Sequence, residues 1–158
     1  RYAGYRHNWR LTVFILDTDH LGIVQRRTSP EHKTLLLRMR QHPLEAFFVT
    51  IISFHEQVNG WNTYIHRAKN TEGLVRGYAM FQEMLFGFTR MNVLPFDAEA
   101  VNMFFKLRKS GVRVATMDLR IGSIALTHGF TLLTRNTVDF ERIPGLQVQD
   151  WTLPDRAR

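Results

Sequence analysis

The chain has no cysteine, only 5 prolines and 10 glycines in 158 residues, and no strongly apolar tract. Without cysteine there are no disulfides and no thiolate metal sites, which suits a reducing cytoplasm. No apolar run approaches the roughly 18 residues that a membrane-spanning helix needs. The opening stretch Arg1 to Arg10 is polar and aromatic and lacks the apolar centre of a secretory signal. Glycines never gather into a phosphate-cradling loop, and Ser53 lacks the Gly-x-Ser-x-Gly elbow of a serine hydrolase. No two of the 7 histidines stand four residues apart, so zinc has no evident site.

What remains is ordinary for one globular domain: 44% hydrophobic and 22% charged residues. The 21 basic residues outnumber 14 acids, and the formal net charge of +7 favours a polyanionic partner. Charge alone predicts non-specific adhesion equally well. There is no repeat, low-complexity tract or linker. Residues 1–11 are set aside as an N-terminal extension, 12–153 as the single domain, and 154–158 as a tail.

Within that domain, Val13-Phe14-Ile15-Leu16 reads as a strand buried on both faces, and it stops at Asp17. Ligands of open α/β sheets sit at the carboxyl ends of strands, so Asp17 is the first site candidate. Asp19 is expected to cap the helix that follows. Ser29-Pro30 is expected to start another, with Leu35, Leu36 and Met39 as its apolar stripe. A second buried strand is expected over residues 47–52, leading into a helix through Ser53 and Glu56. Two helical segments break around Asn70 to Gly73. The second carries Leu74, Val75, Tyr78, Phe81, Met84 and Leu85, more apolar surface than one sheet face needs.

A short strand is expected over 92–96, then a helix capped by Asp97 and closed at Gly111. Asp118 opens a helix with Ile121, Gly122 and Ala125 on one face, ending at Gly129. Residues 131–134 form the next strand, the turn Arg135-Asn136-Thr137 follows, and 146–148 is a last extended piece. Strands alternating with helices predict a three-layer α/β/α sandwich with a mainly parallel sheet.

Asp17, Glu56 and Asp118 then occupy comparable places, and Asn136 and Asp139 follow the last long strand. Carboxylates brought to one sheet edge repel one another and would bind a hard cation, Mg²⁺ or Mn²⁺. Such a site suits phosphodiester hydrolysis. Each residue also has a plainer role. Asp17 can open a turn, Ser53-x-x-Glu56 matches a capping box, and Asp118 can be an N-cap. Asn136 is a routine turn residue, and Asp139 can pair with Arg142.

Two stretches carry a resemblance: Leu16-Asp17-Thr18-Asp19-His20-Leu21, and residues 50–61 with Ser53 and Glu56. Both resemble the first motifs of PIN-domain ribonucleases of the VapC toxin type. Residues 116–125, with Asp118, are similar to the third motif. Residues 133–140, with Pro144-Gly145-Leu146 and Asp150-Trp151, are similar to the C-terminal signature.

The resemblance implies a Mg²⁺- or Mn²⁺-dependent endoribonuclease with Asp17, Glu56 and Asp118 as metal ligands. Asn136 stands where many relatives carry an acid, so Asn136 or Asp139 completes the shell. Gly122-Ser123 replaces the usual Ala-Ala pair. The resemblance further implies hydrolysis leaving 5′-phosphate and 3′-hydroxyl ends, a homodimer, and a cognate antitoxin that blocks the acidic site. Arg26, Arg27 and Arg135 are candidate contacts to an RNA backbone. The competing readings are a non-catalytic PIN-fold module that binds RNA or protein, and a hydrolase of small phosphoesters.

Overall fold

A computed structural model describes residues 12–154. The proposed extension 1–11 and most of the tail lie outside the described residues. In chain order the elements are β1 (Phe14–Leu16), α1 (Thr18–Arg26), α2 (Pro30–Met39), a 3₁₀ turn (Leu44–Ala46), β2 (Phe47–Thr50), α3 (Ile51–Arg67) and α4 (Thr71–Thr89). There follow β3 (Val93–Leu94), α5 (Ala98–Lys109), α6 (Thr116–His128), β4 (Thr131–Leu133), α7 (Thr137–Phe140) and β5 (Val148–Gln149).

The five strands form one sheet in the order β3-β2-β1-β4-β5, and every pair is parallel. Alternation along the strands divides the core into two layers. Ile15, Phe48 and Leu132 face α5 and α6 and pack with Leu107, Leu119, Ile121 and Ile124. Phe14, Leu16, Phe47, Val49 and Leu133 point the other way, to Leu21, Leu35, Met84, Phe88 and Trp151. The expected three-layer α/β/α sandwich is therefore present. Successive strands run outward from β1 to β3, and the chain then returns to add β4 on β1's other side. The switch point lies between β1 and β4, which aims the crevice there at the residues just past Leu16 and Leu133.

Several boundaries differ from the sequence reading, each for a local reason. The second strand ends at Thr50, not residue 52. The Thr50 hydroxyl accepts from the Ser53 amide at 3.2 Å and starts α3 two residues early, with Ile52 buried as a helical residue. The α6 N-cap is Ala115, not Asp118, which sits inside the first turn. Asp17, not Asp19, holds the cap position of α1, and it makes no side-chain cap bond. The third strand is only Val93–Leu94. Asn70 and Asp97 do cap their helices, accepting from the amides of Gly73 and Ala100.

On α4, only Phe81 and Met84 of the six-residue stripe pack inward. Leu74, Val75, Tyr78 and Leu85 are exposed, together with Phe86.

Gly122 shows why the Gly-Ser pair is not interchangeable with Ala-Ala. A Cβ built there would stand 2.5 Å from Ile143 Cδ1, and Ile143 is buried. Gly122→Ala gains about 1 kcal/mol of helix propensity but forces overpacking worth roughly 1–3 kcal/mol. A net loss of about 1 kcal/mol is expected by denaturant titration. A double-mutant cycle with Ile143→Val, which deletes the clashing methyl, should show favourable coupling; strictly additive costs would place the strain elsewhere.

Candidate active site

Register dictates the floor of the crevice. Leu16 pairs with Leu133, so Asp17 and Thr134 emerge side by side. The Asp17 amide donates to the Leu133 carbonyl at 2.9 Å, extending the ladder one residue past the strand. Asp17 is 6% exposed, and Thr134 donates to its Oδ2 at 2.8 Å. Burial pushes the Asp17 carboxyl up to about 7, with the charges of Asp19 and then Asp118 adding to it; the Thr134 hydrogen bond opposes them.

Glu56 reaches the same crevice from the second turn of α3. It takes no part in a capping box, because Thr50 is the cap. Instead its Oε1 accepts from the Thr18 hydroxyl at 2.7 Å. Thr18 lies 3.0 Å from the buried hydroxyl of Ser53, so the first turns of α1 and α3 are linked through these groups.

Asp118 enters from α6. With Ala115 as cap its carboxylate is free of that duty, and among the described residues no hydrogen bond holds it. Partial burial raises its pKa, followed by the charges of Glu56, Asp139 and Asp19.

Asn136 closes the fourth side. It is the N-cap residue of α7 but makes no side-chain cap bond, and its Nδ2 donates to Asp139 Oδ2 at 3.0 Å. Asp139 itself turns outward to Arg142 at 3.4 Å. Asp17, Glu56, Asp118 and Asn136 line one cleft of about 1440 Å³, whereas Asp139 reaches it only through its charge and Asn136. Of the arginines, Arg26 and Arg27 line this cleft and Arg135 does not, although its backbone amide is engaged there.

Sequence reasoning missed four participants. Thr18 and Thr134 orient Glu56 and Asp17. Asp19, read only as a cap, lines the cleft, and its Oδ2 accepts from the Arg135 amide at 2.9 Å. Burial would raise the Asp19 pKa, but hydrogen bonds from His20 and the Arg135 amide outweigh it and hold it low. Arg90, at the end of α4, adds a cation to the cleft wall, which Trp61 and Tyr64 also line. The one available signal was the run Asp17-Thr18-Asp19 directly after a buried strand.

The donors at the crevice are all oxygens, which suits a hard divalent ion better than a soft one. Among the described residues, no three acids or histidines are drawn tightly enough to chelate an ion as the side chains stand. Burial is the first cause of the raised carboxyls of Asp17 and Asp118, and the like charges of Asp19, Glu56 and Asp139 add to it, a condition that a cation relieves. In donor chemistry and charge, the residues fit the group.

A parallel sheet in this order, with acids from three separate elements meeting at its switch point, is the layout of a PIN-like nuclease domain. No family model matches the chain. It is 33% identical over 142 residues to the tRNA(fMet)-specific endonuclease VapC of Salmonella typhimurium, covering 87% of this chain and 97% of that protein. A second relative, Ribonuclease VapC1 of Rickettsia felis, is 34% identical over 88 residues, and the match spans 63% of that protein and 53% of this chain. The solved VapBC-1 structure from nontypeable Haemophilus influenzae superposes with a TM-score of 0.66 at 26% identity, over 90% of this chain and all of that one. The chain belongs to the VapC family, the ribonuclease toxins of toxin–antitoxin pairs.

Proposed function

We propose that the protein is a Mg²⁺- or Mn²⁺-dependent endoribonuclease, the toxin of a type II pair, with Asp17, Glu56 and Asp118 as the residues that hold the ion. The observation that carries this is the convergence of those three carboxylates on one cleft at the switch point, two of them with raised pKa values. A bound divalent ion there supplies an acidified water and positive charge at the phosphorus. The chain's own residues do the rest. Thr134 and Thr18 fix the carboxylates of Asp17 and Glu56, so that orientation is set before substrate arrives. Arg26, Arg27 and Arg90 give the cleft wall the charge to hold a phosphate backbone. Asn136 is a neutral fourth wall where an acid would add repulsion, and Asp139 acts on the site only at a distance. In-line hydrolysis of this kind leaves 5′-phosphate and 3′-hydroxyl ends.

The partners follow from the same reading. The Haemophilus neighbour is a VapBC structure, VapBC being a family of toxin–antitoxin systems, and this chain presents Leu74, Val75, Tyr78, Leu85 and Phe86 uncovered along α4. That surface supports an antitoxin contact, with homodimerisation the second use. Among the described residues no helix is long and apolar enough to cross a membrane.

The test is cleavage of total RNA, and of an initiator tRNA transcript, by the purified protein. Cleavage is expected with Mg²⁺ or Mn²⁺, should stop at excess EDTA, and should return when the ion is restored. Undiminished cleavage in excess chelator rules out the metal mechanism. A folded protein that binds RNA without cutting it under any ion favours the non-catalytic module.

A further inference from the structure

His20 is entirely buried in the first turn of α1, behind the cleft lining and in contact with it only through Asp19. Both of its ring nitrogens are engaged. Nε2 accepts from the Trp151 backbone amide at 3.2 Å, and Nδ1 lies 2.9 Å from Asp19 Oδ1. The Asp150 carboxylate is 3.6 Å from Nε2, beyond good hydrogen-bond range, and is occupied by the amide and hydroxyl of Thr152. A backbone amide can only donate, so Nε2 must present its lone pair there and the ring hydrogen sits on Nδ1. The tautomer is thereby set from the far side of the ring, and Nδ1 donates to Asp19.

The donor that sets it is itself immobile. Trp151 is buried, with its ring centroid 4.6 Å from that of Phe14 and 5.4 Å from that of His42. The Arg38 guanidinium stands 4.9 Å over its face, and its indole N–H donates to Gln149 at 2.7 Å. Beyond His20, Asp19 uses its other oxygen to accept from the Arg135 amide at 2.9 Å. That amide belongs to the turn that delivers Asn136 to the cleft.

We propose that His20 is a positioning residue for the nuclease site. It transmits the fixed C-terminal segment through Asp19 to the turn after β4, and so holds Asn136 and the Asp17–Thr134 floor in register. The proposal rests on the ribonuclease reading for its activity readout, but not for its structural one.

Two substitutions separate the two arms. His20→Gln can still offer an acceptor to the Trp151 amide but cannot place a donor at the Nδ1 position. His20→Asn places its amide nitrogen near Nδ1 and gives up the Trp151 contact. Amide hydrogen exchange in the metal-free protein reads each arm directly, and RNA cleavage reads the consequence. In His20→Gln, Arg135 should lose protection while Trp151 keeps it, and cleavage should fall roughly 10- to 100-fold, the usual cost of removing a group that orients a ligand shell. In His20→Asn the pattern should reverse, with Trp151 deprotected, Arg135 protected and most of the cleavage retained. Equal losses in both variants, scaling with melting temperature alone, would make His20 a packing residue and overturn the proposal. So would wild-type cleavage and Arg135 protection in His20→Gln. If the wild type itself fails to cleave, the nuclease reading fails, and the exchange pattern alone decides the positioning role.

Discussion

Asp17→Asn is expected to stabilise the metal-free protein near pH 7 and to abolish cleavage, because the wild-type carboxyl is held up at about 7 against an ordinary value of 3.8. Below both values the group is neutral folded and unfolded, and it contributes nothing to pH dependence. Between them the unfolded chain has released its proton while the folded chain has not, so the unfolded state binds fewer protons and stability falls as pH rises. Each pH unit in that window costs about 1.4 kcal/mol, or about 4 kcal/mol across it. Above about 7 the loss is complete and level.

The Asn variant keeps an acceptor for Thr134 and removes the charge, so it should be free of that slope. Thermal unfolding of both proteins without metal is the check. The two should match in acid, and the variant should melt higher near neutrality by about 10 °C, at roughly 2–4 °C per kcal/mol for a chain of this size. Its cleavage should fall by at least about 100-fold, corresponding to some 3 kcal/mol of lost transition-state stabilisation. A variant whose melting temperature tracks wild type across the pH series would show that Asp17 ionises freely in the fold.

How far such behaviour could be read from the sequence depends on how local its cause is. The buried run ending at Asp17 is visible in seven residues, because a strand buried on both faces needs consecutive apolar side chains and little else does. The sheet followed from strand–helix alternation for the same reason. Ile51 and Ile52 misled: β-branched residues continue a strand by pattern, but Thr50 captures the Ser53 amide and turns the chain into a helix. Asp118 misled in the opposite way, since Ala115 caps α6 with no side-chain signal at all. Glu56 looked like a cap because Ser53 stands three residues before it, whereas its partner is Thr18, 38 residues away. The roles of Asp19 and His20 were out of reach of any window. Their partners, Arg135 and Trp151, are 116 and 131 residues distant and meet them only once β4 has joined β1.

The displacement of Asp118 from the cap position sharpens what its substitution should do. Were it an N-cap, Asp118→Ala would cost about 1 kcal/mol and Asp118→Asn nearly nothing. In the structure the cap is Ala115, and the carboxylate feels the charges of Glu56, Asp139 and Asp19 with no hydrogen-bond donor among the described residues. Neither substitution removes a structural contact, and both relieve repulsion within a half-buried cluster of like charge. Both variants are therefore expected to melt at or slightly above wild type in the absence of metal. The gain is smaller than for Asp17, because Asp118 is only partly buried and solvent screens its neighbours' charges.

Cleavage should respond the other way. With one of three proposed ligand charges gone, RNA hydrolysis in saturating Mg²⁺ should fall by about 100-fold or more in both variants. Thermal stabilisation by Mn²⁺ should shrink in parallel, since a ligand-bound fold gains stability in proportion to its affinity. Matched melting curves with lost cleavage and lost Mn²⁺ response would identify Asp118 as a site carboxylate. Wild-type cleavage in Asp118→Asn would instead remove it from the proposed set and leave the acidic cluster without its third member.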